Sequence, residues 1–173
     1  MPLAIAADAV RAAVAAATTL GVASAEPEVL ADGASLIVHL RPSPVVAKVA
    51  ASTPAVRVDA GAWLQRELDL ALFLMQAGAP VMTPSREVPA TVHHRDGYVM
   101  SFWTYLRPTG AGVPGEGTVG SMLRDLHAVL RTHPGSPPVL APLATSRPSS
   151  PAEAPQGSTA RCCVSLDKME ELR

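Results

Sequence analysis

A lysine stands in the middle of an apolar run near residue 48. Lys48 belongs to the run VVAKVA at residues 45–50, and Lys168 is the only other lysine in the chain of 173 residues. Valine and alanine occupy both faces of this run, a pattern typical of a strand that is covered on both sides. Because a buried charge is costly unless it is paired, we expect an anionic partner for Lys48.

Glu67 is a second charged residue in an apolar setting, on a helix predicted over residues 61–78. Steps of about 100° per residue place Glu67 in the middle of the apolar arc of this helix. The flanking apolar residues are Trp63, Leu70 and Leu74 on one side and Leu64, Leu68, Ala71 and Met75 on the other, and Gln65, Arg66, Asp69 and Gln76 gather on the back with Phe73. A buried carboxylate must be paired or protonated, so Lys48 is its predicted partner. The alternative is that Lys48 extends to a sheet edge while Glu67 reaches solvent.

Short strands surround this helix in the sequence. Two runs flank Asp32-Gly33 and two flank Arg95-Asp96-Gly97, and both turns are hairpin signals. The predicted strands cover residues 27–31, 35–40, 45–50, 90–94 and 97–106. The pattern therefore predicts an α+β fold with a mostly antiparallel sheet of about five strands and one long packed helix.

The N-terminal segment has two interpretations. An apolar stretch followed by Ala-Ser-Ala before Glu26 resembles a signal peptide. However, Asp8 and Arg11 stand where a signal peptide has a basic cluster. An Ala-rich helix over residues 3–19 that ends near Gly21 is favoured, and it predicts a cytoplasmic protein.

The C-terminal part of the chain contains one more periodic segment. Residues 118–135 form a predicted amphipathic helix, whose apolar face carries Val119, Met122, Leu123, Leu126 and Leu130. Residues 144–173 are rich in serine and proline and show little periodicity, which predicts a disordered tail.

The composition argues against several classes of partner. A net charge of −1 and a pI near 6.5 make nucleic acid a poor candidate. No apolar run approaches the roughly 18 residues expected of a membrane span. The five histidines lack metal-ligand spacing, and the adjacent Cys162 and Cys163 cannot form a zinc site. We therefore assign no metal site.

The order of these segments resembles the aminoglycoside/choline phosphotransferase family of small-molecule kinases. The matching segments are SLIVHLRPSPVVAKVA, WLQRELDLALFLMQAGAPV, YVMSFWTYL and VGSMLRDLHAVL, with family-like order and spacing over about residues 1–143. The resemblance implies a kinase-like nucleotide-binding lobe at residues 26–107, preceded by the Ala-rich helix at 1–25. Residues 108–143 would be a connector and the first helix of a second lobe. Residues 144–173 would be a disordered or frame-shifted tail.

The resemblance also suggests which residues bind nucleotide. Lys48 matches the lysine that holds the phosphates, and Glu67 matches the helix glutamate that positions it. Gly33 and Ser35 match a weak phosphate-binding turn, with an ordinary hairpin turn as the alternative.

The hinge residues in this comparison are Trp103, Thr104 and Tyr105, whose backbone groups would bind adenine. The implied cofactor is ATP, bound weakly, and the magnesium ligands of the family are absent. The family places them in a His-x-Asp-x4-Asn run and a later aspartate. This chain has no asparagine, no histidine after His133, and Asp167 as the sole aspartate of its last 48 residues. No catalytic residue is therefore assigned.

Two functions remain open at this point. The first is a truncated small-molecule phosphotransferase that retains an ATP-binding lobe, is inactive alone, and associates with itself or with a separate chain that supplies the second lobe. The second is a non-enzymatic remnant or partner-binding module. Neither implies a nucleic-acid or membrane partner.

Overall fold

The computed structural model describes residues 3–51, 59–108 and 115–135, and the predicted tail at 144–173 lies outside these ranges. The described residues contain three helices and five strands. In chain order they are α1 (Leu3–Thr19), β1 (Ser24–Asp32), β2 (Leu36–Pro42), β3 (Val45–Val49), α2 (Ala60–Gln76), β4 (His93–Arg95), β5 (Tyr98–Thr104) and α3 (Glu116–Leu130).

The five strands form one open antiparallel sheet. Its order is β1-β2-β3-β5-β4, so that β3 lies at the centre. This confirms the predicted α+β fold and the mostly antiparallel sheet of about five strands. The kinase-like identity of the lobe stays a prediction. A short segment before β4 also pairs with β5, through a bridge between Pro84 and Trp103.

Helix α1 covers one face of the sheet with alanine side chains. It ends where predicted, at a glycine with positive φ, Gly21. The largest buried cluster joins this helix to β2, β3 and β5. The alanines that α1 contributes to this cluster are Ala9, Ala12, Ala13, Ala16 and Ala17. Because alanine is small, the helix backbone can approach the strands closely.

Helix α2 covers the opposite face. Asp59 caps its N-terminus by accepting a hydrogen bond from the amide of Ala62, with a donor–acceptor distance of 2.8 Å. The helix ends before Gly78, whose φ is +75°. Its buried residues are Ala60, Leu64, Leu68, Ala71 and Leu74. This agrees with most of the predicted apolar arc.

Some predicted details of the helices differ from the structure. Met75 was placed in the apolar arc but is exposed. Phe73 was placed on the polar back, yet its ring meets that of His133 edge-on at 4.8 Å. Helix α3 begins two residues earlier and ends five residues earlier than predicted. Among the described residues, no helix is long and apolar enough to cross a membrane.

Candidate functional site

The candidate site is built around Lys48 on the α2 face of the sheet. Lys48 lies opposite Ile37 of β2 and opposite Ser101 of β5. Its neighbours along β3 alternate between the two faces, so Val46 and Lys48 share one face while Ala47 and Val49 share the other. The central position of β3 gives Lys48 a rigid backbone.

Glu67 pairs with Lys48 through both carboxylate oxygens. The amine Nζ lies 2.5 Å from Oε1 and 2.8 Å from Oε2, and the residues are 19 positions apart. The side chain of Lys48 is 19% exposed and that of Glu67 is 34% exposed. The predicted pairing of Lys48 with Glu67 is therefore confirmed. The pair remains partly exposed to solvent.

Trp63 also contacts the Lys48 ammonium group, in addition to the two carboxylate oxygens of Glu67. Nζ of Lys48 lies 4.7 Å from the centroid of the Trp63 ring, within the range of a cation–π contact. Trp63 lies one helical turn before Glu67, so both side chains of α2 converge on the same ammonium group. Such a positioned, partly solvated ammonium can accept an anionic ligand without leaving its carboxylate partner.

The predicted phosphate-binding turn immediately precedes β2, the strand whose Ile37 lies opposite Lys48. Ser35 immediately precedes β2, two residues before the Ile37 that faces Lys48. The Ser35 side chain is buried, and Oγ has no hydrogen-bond partner in the described part of the chain. The amide of Gly33 donates to the carbonyl of Ser35 at 3.3 Å, so this amide is already engaged.

The predicted hinge residues lie at the end of β5 and just after it. Trp103 is buried, and its indole N–H donates to Oγ of Ser101 at 2.9 Å. The amide of Thr104 donates to the carbonyl of Thr83 at 3.0 Å, and the amide of Tyr105 donates to that of Pro44 at 2.9 Å. The backbone amides of Thr104 and Tyr105 are therefore already engaged in hydrogen bonds within the protein. An adenine would need other backbone groups of this segment.

His39 belongs to the same region, although sequence reasoning assigned it no role. It lies on β2 opposite Val46, two residues after Ile37. Its ring stacks on that of Tyr105 with centroids 3.7 Å apart and planes 9° apart. The strand alternation that puts Ile37 beside Lys48 also puts His39 on that face, and this was the available signal.

The tautomer of His39 follows from its one hydrogen bond. Nε2 lies 3.1 Å from the carbonyl oxygen of Ser43, which can only accept, so Nε2 carries the proton. In the neutral ring Nδ1 is then an acceptor. His39 is 8% exposed, and among the described residues Nδ1 has no partner. Two buried polar groups, Ser35 Oγ and His39 Nδ1, thus lie on either side of Ile37 along the chain.

No metal centre accompanies these residues in the described ranges, where no three His, Cys, Asp or Glu side chains cluster. Comparison of the chain with protein-family models, with curated proteins and with solved structures gave no match. The assignment to the phosphotransferase family therefore rests on the sequence resemblance and stays a prediction.

Proposed function

We propose that residues 26–107 form the nucleotide-binding lobe of an aminoglycoside/choline-type phosphotransferase, in which Lys48 binds the phosphates of ATP. The observation that carries this proposal is the Lys48–Glu67 pair. The lysine lies on the third strand and the glutamate on the helix that follows it, which is the arrangement protein kinases use.

The surroundings of the pair support a phosphate ligand. The Lys48 ammonium is partly open to solvent, and a phosphate can bind there as a charge-assisted partner. The hydroxyl of Ser35, two residues before Ile37, has no partner among the described residues, but it is buried and would have to become exposed before it could donate to a phosphate. The partly buried Ile37 continues the surface beside Lys48 with an apolar side chain, as expected where a nucleotide base lies, whereas Val46 is buried in the cluster with Leu68 and Ala71 of α2.

We expect Lys48→Ala to weaken binding of ATP at least about tenfold, because one charge-assisted contact is lost. The unaltered protein should bind ATP with a dissociation constant near millimolar, or about 4 kcal/mol. Magnetic resonance titration suits this range, and the indole N–H signals of Trp63 and Trp103, the two tryptophans of the chain, serve as reporters.

Arg66→Ala is the matched control for this experiment. It removes one positive charge from the exposed side of the same helix without touching Lys48. Tripolyphosphate, which has no base, should respond to the two substitutions as ATP does. Equal losses of ATP affinity in Lys48→Ala and Arg66→Ala would show that only the overall charge of the protein matters. That result would contradict a specific phosphate site.

A second candidate function, self-association, is favoured by the apolar face of α3. None of the residues of α3 is buried, and Val119, Met122 and Leu123 are 39% to 49% exposed. A groove of about 480 Å³ separates this helix from residues 77–80, which follow α2. A helix of a second copy, running antiparallel, would place Glu116 near Arg131 at both ends of the contact. This charge complementarity favours a second copy as the occupant.

Leu123→Glu is expected to weaken self-association at least about tenfold, because it places an unpaired carboxylate in the apolar contact. Ala128→Glu is the matched control, since Ala128 is exposed on the other side of α3. Sedimentation velocity over a concentration series measures the effect. A protein that stays monomeric at hundreds of micromolar, or equal behaviour of the two variants, would contradict this surface.

A further inference from the structure

We infer that Tyr105 covers the surface on which the base of a bound nucleotide stacks, so that ATP binds only when the base displaces the Tyr105 ring from His39. This inference rests on the proposed nucleotide site. It adds that a residue of the predicted hinge, Tyr105, competes with the base for that site.

The register of the sheet indicates where a base would lie. Lys48 faces Ile37, and the next pair on this face of the sheet is Val46 with His39. Two residues along a strand span about 7 Å, a distance suited to the step from phosphate to base. In the opposite direction Ala50 is buried beneath Ala60 of α2, so a base cannot extend that way.

The remaining surface over β2 is the one that Tyr105 occupies. Its phenol ring lies parallel to the His39 imidazole at 3.7 Å, the separation of stacked aromatic rings. The same ring packs against the cluster that contains Val46 and Trp103. A planar heteroaromatic ring in this position would also stack on His39 and pack against this cluster. The Tyr105 phenol therefore occupies the position that we infer for the base.

The closed arrangement has features that permit opening. Tyr105 lies one residue beyond the end of β5 and is only half-buried. Its amide bond to Pro44 fixes the backbone, so a change of side-chain rotamer suffices to move the ring. The closed state also leaves Nδ1 of His39 buried without a donor, which is unfavourable.

The test compares ATP with tripolyphosphate in two variants of Tyr105. Tyr105→Ala should bind ATP about three- to tenfold more tightly, because the base no longer replaces an aromatic stack. Tyr105→Phe keeps the ring and should bind ATP as the unaltered protein does. Tripolyphosphate has no base, so its affinity should be the same in all three proteins.

A measurement on the unaltered protein makes the test independent of how Tyr105→Ala folds. Nuclear Overhauser contacts between the rings of His39 and Tyr105 should decline during an ATP titration, and contacts between His39 and the adenine protons should replace them. Persistence of the His39–Tyr105 contacts at saturating ATP would overturn the inference. So would unchanged or weaker ATP binding by Tyr105→Ala.

The outcomes also separate this inference from the proposed function. Tripolyphosphate binding that is insensitive to Lys48→Ala would contradict the phosphate site itself. Tripolyphosphate binding that needs Lys48, combined with ATP binding that ignores Tyr105, would leave the phosphate site standing and overturn only the role of Tyr105. A gain for ATP and tripolyphosphate alike in Tyr105→Ala would also overturn that role.

Discussion

Replacing Leu68 by alanine is expected to lower the free energy of unfolding by about 2 to 5 kcal/mol. Leu68 is fully buried and joins α2 to the sheet in a cluster with Val46, Ala71 and Trp103. Truncation would remove the transfer free energy of three carbon atoms and leave a cavity at the centre of this contact. Because Leu68 is adjacent to Glu67, the same contact fixes the turn of α2 that carries the carboxylate.

Urea unfolding followed by circular dichroism measures this loss. Leu70→Ala on the same helix is the matched control, because Leu70 is only half-buried and its truncation leaves a smaller cavity. The slope of the unfolding free energy against urea should be the same in the two variants. Equal destabilisation by both substitutions would show that α2 is not seated on the sheet through Leu68.

Enlarging Ala13 to leucine is expected to destabilise the protein by about 3 kcal/mol, at the upper end of the range for overpacked cores. Ala13 is fully buried between α1 and the sheet and is surrounded by other alanines of the helix. Three added carbon atoms cannot be accommodated unless the whole helix moves away from the strands. Such a movement would loosen the contacts of Ala9 and Ala17 as well.

Differential scanning calorimetry is the appropriate measurement for Ala13→Leu. Ala7→Leu makes the same chemical change on the exposed side of α1 and should alter the unfolding free energy by no more than about 0.5 kcal/mol. A midpoint for Ala13→Leu equal to that of Ala7→Leu would mean that α1 is not closely packed on the sheet in solution.

The elements with strong periodicity or unusual residues were predictable from the sequence. Lys48 and Glu67 each violate their local pattern, and pairing them removes both violations, which is why the contact could be inferred across 19 residues. Helix α2 was recognised from its apolar arc and its glycine stop. The hairpin turns at Asp32 and Asp96 were recognised from the glycine that follows each of them.

Other features depend on contacts that no local pattern encodes. The packing of α1 against the sheet could not be predicted, because alanine is compatible with a buried or an exposed helix face. The stack of His39 on Tyr105 joins a residue of β2 to one just after β5, far apart in sequence, and neither residue is unusual at its position. The exposure of Met75, beside the buried Leu74, depends on what packs against the last turn of α2, which is a property of the assembled fold.

The seat of α1 has a consequence for the order in which the chain is made. This helix precedes every strand, yet it contacts all five of them. Roughly 85 residues separate Thr19 from Thr104, and at 5 to 20 residues per second their synthesis takes about 4 to 17 s. Over that interval the face of α1 has no sheet to cover it. An alanine-rich helix is suited to this interval, because alanine favours the helical state and exposes little apolar area to which other nascent chains and chaperones could bind.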